Sequence, residues 1–175
     1  MRRIYITAFK EEKIVGILTI KHKVPEKKIL LVYLGMMIVH PDHGRVVTKM
    51  ASEHISILNK IKDQSIYIYS ITTNPFVHKI ISKFYQNIFP RSIDQKELLV
   101  PEFYSKITSH SGYNICEYNP YKIINSPSIA RYNQEFKRKL SEIPASKNSL
   151  CQSYNLNTEN GDRVLIIGTY NNQNP

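Results

Sequence analysis

The stretch MMIVHPDHGRVVTKMASEHI, Met36 to Ile55, passes from an apolar strand through His-Pro-Asp-His-Gly into a helix. Upstream, ILLVYLGMMIV (Ile29 to Val39) is almost continuously apolar, as a central strand buried on both faces must be. Gly35 inside it marks a bulge or a close backbone approach. Downstream, Val47, Met50, Ala51, His54, Leu58 and Ile61 recur at i, i+3 and i+4, which predicts an amphipathic helix from Arg45 to Lys62. His54 stands at the boundary of its apolar stripe. The turn between strand and helix has three readings: a phosphate cradle, a metal site, or a plain connection.

The flanking segments extend this pattern. IYITAF (Ile4 to Phe9) and IVGILTIKHK (Ile14 to Lys23) are separated only by KEEK and form a hairpin; VPEKK is the next turn. SIYIYSI (Ser65 to Ile71) is a further strand. In TTNPFVHKIISKFYQNIFP, Asn74 is an N-cap, Pro75 the first helical residue, and Val77, Ile80, Ile81, Phe84 and Ile88 a buried stripe ended by Pro90. His78 and Lys79 fall on its exposed side. The order is strand, strand, strand, helix, strand, helix. A meander feeding a βαβ unit implies an α/β (α+β) fold, with a mixed, mostly antiparallel sheet and helices on both faces.

Beyond Pro90 the pattern thins. GYNICEY (Gly112 to Tyr118) and GDRVLIIGTY (Gly161 to Tyr170) carry strands. SPSIARYNQEFKRKLSE, capped by Ser126 with Pro127 at N1, predicts a helix over Ser128 to Glu142. Ser146 to Asn160 is a loop and NNQNP a frayed tail. No internal repeat or domain boundary appears, so residues 1–175 are read as a single domain.

Composition limits the function. The apolar fraction of 42% is ordinary, and no apolar run approaches the ~18 residues of a membrane span. Cys116 and Cys151, without a CxxC, make neither a zinc site nor a disulfide framework, which fits a reducing cytoplasm. Lys and Arg number 24 against 14 Asp and Glu, so an anionic partner is expected: nucleic acid, a lipid surface or a phosphorylated cofactor. No Arg-rich arm or RNP-like strand appears, which disfavours nucleic acid. Neither GxxxxGK[ST] nor GxGxxG occurs. His40 and Asp42 straddle Pro41 and are expected to diverge, so no metal is assigned.

Three pieces resemble the GNAT superfamily of CoA-dependent N-acyltransferases: the hairpin with KIVGILTI, the apolar strand leading into VHPDHGR and a helix, and IYIYSITTNP leading into FVHKIISKFYQNIF. They span Ile4 to Phe89. The resemblance implies acyl transfer from acetyl-CoA or another acyl-CoA to an amine, with no metal. Backbone N–H groups at His43, Gly44, Arg45, Val46, Val47 and Thr48 would hold the pyrophosphate, with the Arg45 side chain and Thr48 hydroxyl assisting. Ile38 and Val39 would supply an oxyanion contact beside the pantetheine arm, and Asn74 matches the family's Asn after the next strand. The family's strand Glu falls at Tyr33, a poor base with an ordinary phenol. Tyr85 would protonate the departing thiolate if it faces the cleft. The turn keeps one glycine where the family has two. The family's leading strand and two helices have no counterpart before Ile4. The resemblance therefore implies a shortened version, or a homodimer or other partner that completes the missing wall. Binding without catalysis is the competing reading.

Overall fold

The computed structural model describes residues 1–92, 95–126 and 149–171; the helix expected over Ser128 to Glu142 lies outside them. The chain is α+β, with a mixed, mostly antiparallel sheet. No helix among the described residues is long and apolar enough to cross a membrane. The described residues fall into two compact units. Unit 1 holds Met1–Ser70, Phe84–Asn87 and the chain from Gly168; unit 2 holds Ile71–Lys83 and the described chain between Ile88 and Ile167.

In unit 1, β1 (Arg2–Lys10) and β2 (Lys13–Glu26) form the expected hairpin, with Glu11 and Glu12 at positive φ in its turn. β3 (Ile29–Val39) pairs antiparallel with β2 and parallel with β4 (Ser65–Thr72), giving the order β1-β2-β3-β4. Between β3 and β4 the chain makes a short 3-10 turn at Pro41–His43 and then helix α1 (Val46–Leu58), which packs on β1, β2 and β3. α1 buries Met50, Ala51, His54 and Leu58, four of the six residues of the expected stripe; Val47 is half-buried and Ile61 lies beyond the helix. It stops at Leu58, short of the expected Lys62. Gly16 is explained by this packing: a Cβ there would come within 3.0 Å of Val46 Cγ1 and 3.1 Å of Met50 Cε.

Unit 2 contains most of α2 (Pro75–Phe84), α3 (Tyr104–Ser111), a short helix at Ser149–Ser153, the antiparallel strands β6 (Ile115–Cys116) and β7 (Asn119–Ile123), and β8 (Arg163–Tyr170) as far as Ile167. As expected, the Asn74 Oδ1 caps α2 by accepting the Phe76 N–H at 2.9 Å. Three expectations fail here. Of the expected α2 stripe only Ile81 is buried, while Val77, Ile80 and Phe84 are half-buried. α2 ends at Phe84, and Gln86–Phe89 form strand β5. Asn87 sits at φ 48, outside helical space. His78 is buried, its Nε2 2.7 Å from the Pro90 carbonyl, because a hydrogen bond removes the cost of burying an imidazole. α3 and the helix at Ser149–Ser153 were not expected; α3 ends at Gly112, whose φ of 72 suits glycine.

Candidate functional site

β3 is the element on which the site turns. Leu18 pairs with Met37, but Ile20 pairs with Leu34, so Gly35 and Met36 together oppose Thr19. This bulge fulfils both readings of Gly35. The Thr19 side chain fills the gap: its Oγ1 accepts the Met36 N–H at 2.9 Å and donates to the Met36 carbonyl at 3.3 Å. A Cβ on Gly35 would lie 2.6 Å from that Oγ1 and 2.9 Å from the Thr19 carbonyl oxygen.

The bulge coincides with the end of the parallel ladder. β3 and β4 pair from Ile29 opposite Ser65 to Tyr33 opposite Tyr69 and, among the described residues, no further. The next interstrand contact is a side chain: the Ser70 hydroxyl donates to the Leu34 carbonyl at 2.8 Å. β3 nevertheless continues to Val39. On its other edge it stays bonded to β2, with the His40 N–H donating to the Val15 carbonyl at 2.8 Å. Backbone groups alternate along a strand. Since His40 faces β2, Ile38 does as well, and Met37 and Val39 present their N–H and C=O to the open edge. Of the two residues expected to make the contact, Val39 thus has its backbone groups on the open edge, whereas those of Ile38 face β2. The Ile38 side chain is exposed, as is that of Met36.

The strand then enters the turn. The His43 N–H reaches the His40 carbonyl at 2.9 Å, and the Val47 N–H reaches the Gly44 carbonyl at 3.2 Å. Arg45 makes no side-chain cap, and no acidic residue stands in the first turn of α1. The positive end of α1 is thus not neutralised from within. Gly44, Arg45 and Thr48 are exposed; His43, Val46 and Val47 are half-buried. Gly44 has φ −51 and ψ −29, a conformation open to any residue, and a Cβ there meets nothing within 4 Å. The fold itself does not require this glycine.

His40 and Asp42 do not diverge as expected. The Pro41–His43 turn curls them together, with His40 Nδ1 3.7 Å from Asp42 Oδ2 and accepting the Asp42 N–H at 3.3 Å. Among the described residues no group of three or more His, Cys, Asp or Glu is placed to hold a metal.

The two tyrosines assigned to chemistry stand apart in kind. Tyr33 is half-buried at the last rung of the parallel ladder, its ring 5.2 Å from that of Tyr69 and 5.5 Å from Lys21 Nζ. Tyr85 is buried, and its hydroxyl lies 2.6 Å from Nδ1 of His54. Burial, and then Tyr170 beside it, push the Tyr85 phenol far above its ordinary value. His54, expected at a boundary, is fully buried; burial and the neighbouring His22 lower its pKa to about 3. A protonated phenol facing a neutral imidazole donates to Nδ1, which leaves the imidazole proton on Nε2. Among the described residues, that Nε2 and the Nε2 of buried His22, with its ring 5.8 Å away, have no hydrogen-bond partner. The sequence hinted at this pair only through His54 falling on the apolar stripe. Asn74 belongs to unit 2, where its side chain is engaged as the α2 cap and its N–H bonds the Thr72 hydroxyl at 2.9 Å. Cys116 and Cys151 are free, and burial raises the Cys151 thiol above its ordinary value, unlike an activated nucleophile.

No family model, curated protein or solved structure matches this chain.

Proposed function

We propose that this chain binds an acyl-CoA and transfers its acyl group to an amine. One observation carries the reading: β3 leaves its parallel partner at Tyr33, runs on with a free edge to Val39, and turns within a few residues into an uncapped helix N-terminus. A free strand edge accepts an extended amide chain as an added strand. The pantetheine arm of CoA is such a chain, and Met37 and Val39 offer it backbone groups. An uncapped helix end favours a pyrophosphate, and Arg45 adds a cation on the solvent side. The same N–H groups on β3 would stabilise the oxyanion formed when an amine attacks the thioester carbonyl. The amine's nitrogen forms the new amide bond and loses a proton, the carbon–sulfur bond breaks, and that proton is balanced by the one the CoA thiolate takes up to leave as the free thiol. Tyr33, at the last rung of the parallel ladder, is the nearer of the two tyrosines in sequence to the open edge and the one not sunk in the core.

A second reading, acyl-CoA binding without transfer, is favoured by the position of Tyr85: the expected general acid is buried and committed to His54. Calorimetry with acetyl-CoA and longer acyl-CoAs, paired with thiol release in the presence of an amine panel, separates the readings. Binding with thiol release supports transfer. Binding without release across the panel leaves the noncatalytic reading, and no binding at millimolar ligand removes both.

A further inference from the structure

The edge of unit 1 farthest from β4 is β1, and among the described residues β1 pairs with β2 alone. Exposed edge strands invite pairing with another chain, and proteins that avoid this place lysine, proline or a bulge inside them. β1 has none of these over Ile4 to Phe9, six residues without a charge or a proline. The irregularity near Ala8 and Phe9 skips Val15, so it lies in β2 and leaves β1 regular. Tyr5 and Phe9, both 60% exposed, stand on one face of the strand. Its charges lie outside that run: Arg2 and Arg3 at one end, and at the other Lys10, with Glu11 and Glu12 in the turn just past it, all five exposed.

This pattern is self-complementary. We propose that the chain forms a two-fold symmetric homodimer by antiparallel pairing of β1 with β1 of a second copy, centred on Thr7. That register sets Tyr5 against the partner's Phe9 and Ile6 against the partner's Ala8, and it brings Arg2 and Arg3 alongside the partner's hairpin turn, which carries Glu11 and Glu12. Each contact occurs twice, as an isologous interface requires. Opposite charges and aromatic pairs across strands are both favourable. Centring on Ile6 instead would set Arg2 against Lys10, so charge selects Thr7. The interface joins two sheets into one and leaves the open edge of β3 untouched, so it stands or falls independently of acyl-CoA binding.

Sedimentation velocity of the full chain tests this directly. Wild type should dimerise with a dissociation constant roughly in the micromolar range or weaker, as befits a small interface. The doubles R2E/R3E and E11R/E12R, altered only at exposed positions, should each weaken self-association at least about tenfold, because like charges then face each other. Mixing the two doubles should restore dimers as heterodimers, which also shows that each variant is folded. With Cys116 and Cys151 replaced by serine, Thr7→Cys should cross-link on oxidation, since directly opposed strand residues meet disulfide geometry. Ile4→Cys, which faces Lys10 in this register, should not. A chain that stays monomeric to about 1 mM, a dimer indifferent to the charge reversals, or a dimer of the Thr7→Cys variant that does not cross-link would overturn the proposal.

Discussion

The hydroxyl of Tyr85 lies 2.6 Å from Nδ1 of His54, and both residues are buried in unit 1. Tyr85→Phe keeps the packing and removes the bond, leaving a buried imidazole nitrogen without a partner. A loss of about 1–3 kcal/mol is expected, read from urea midpoints at constant slope. His54→Leu removes the polar partner as well, so adding it to Tyr85→Phe should cost less than the two single changes summed. Strict additivity in that cycle would show that the pair does not interact.

The same pair sets an acid limit on stability. His54 has a folded pKa of about 3 against an ordinary 6.5, and burial with Arg2 nearby lowers that of His22 as well. A base whose pKa falls on folding is neutral in the native state and protonated in the unfolded state between those two values. The unfolded state therefore binds more protons, and stability is complete above about pH 6.5 and declines as pH falls toward 3. The slope approaches ~1.4 kcal/mol per pH unit for one histidine. Measured between pH 6 and 5, where carboxylates contribute least, it should be shallower in His54→Gln. An unchanged slope in that variant would exclude His54 as its source.

The strand order and α1 were legible because burial imposes periodicity. Ile29 to Leu34 is buried on both faces but for the half-buried Tyr33, and Met50, Ala51, His54 and Leu58 share a stripe. Asn74-Pro75 announced its helix through backbone chemistry alone. The end of α2 was not legible: Tyr85, Ile88 and Phe89 continue an apolar pattern that helix and short strand share, and the tertiary contact of Tyr85 with His54 is invisible locally. His78 was misjudged for the same reason, its partner being the Pro90 carbonyl. The open edge of β3 was legible only in part. Gly35 signalled a bulge, but which backbone groups it frees depends on the register with Thr19.

That register gives a contrast between two glycines. Gly35→Ala drives a Cβ to 2.9 Å from the Thr19 carbonyl oxygen, a backbone atom with no rotamer to escape by. It should cost about 1–3 kcal/mol and loosen the amides around Met36 in hydrogen exchange. Gly44→Ala should be neutral or slightly stabilising, because its backbone is ordinary and its Cβ meets nothing. Equal melting temperatures for the two variants would contradict the bulge geometry.

Charge offers a separate check. If the excess of Lys and Arg serves a small anionic cofactor, nucleic acid should bind weakly, without sequence preference, and lose affinity steeply with salt. Fluorescence anisotropy with labelled duplex and single strands at several salt concentrations measures this. Submicromolar, sequence-selective binding at physiological salt would favour a nucleic-acid partner over acyl-CoA.

The tolerance of Gly44 makes it a clean probe of the turn. Gly44→Val should leave the unliganded protein folded, since the position accepts a side chain without strain or collision. With acyl-CoA present, the added side chain would stand where the pyrophosphate must approach the N–H groups at the start of α1. Binding should weaken by roughly 1–3 kcal/mol, the scale of leaving a charged acceptor poorly paired. Arg45→Ala should cost less, because its exposed guanidinium acts through solvent. Thr48→Ala should cost least. Calorimetry with acetyl-CoA gives the affinities, and melting curves without ligand show that each variant is intact. The order Gly44, Arg45, Thr48 follows from a cradle made of backbone. If Arg45→Ala costs most, the anion is held by side-chain charge instead, and the helix end plays no part in its recognition.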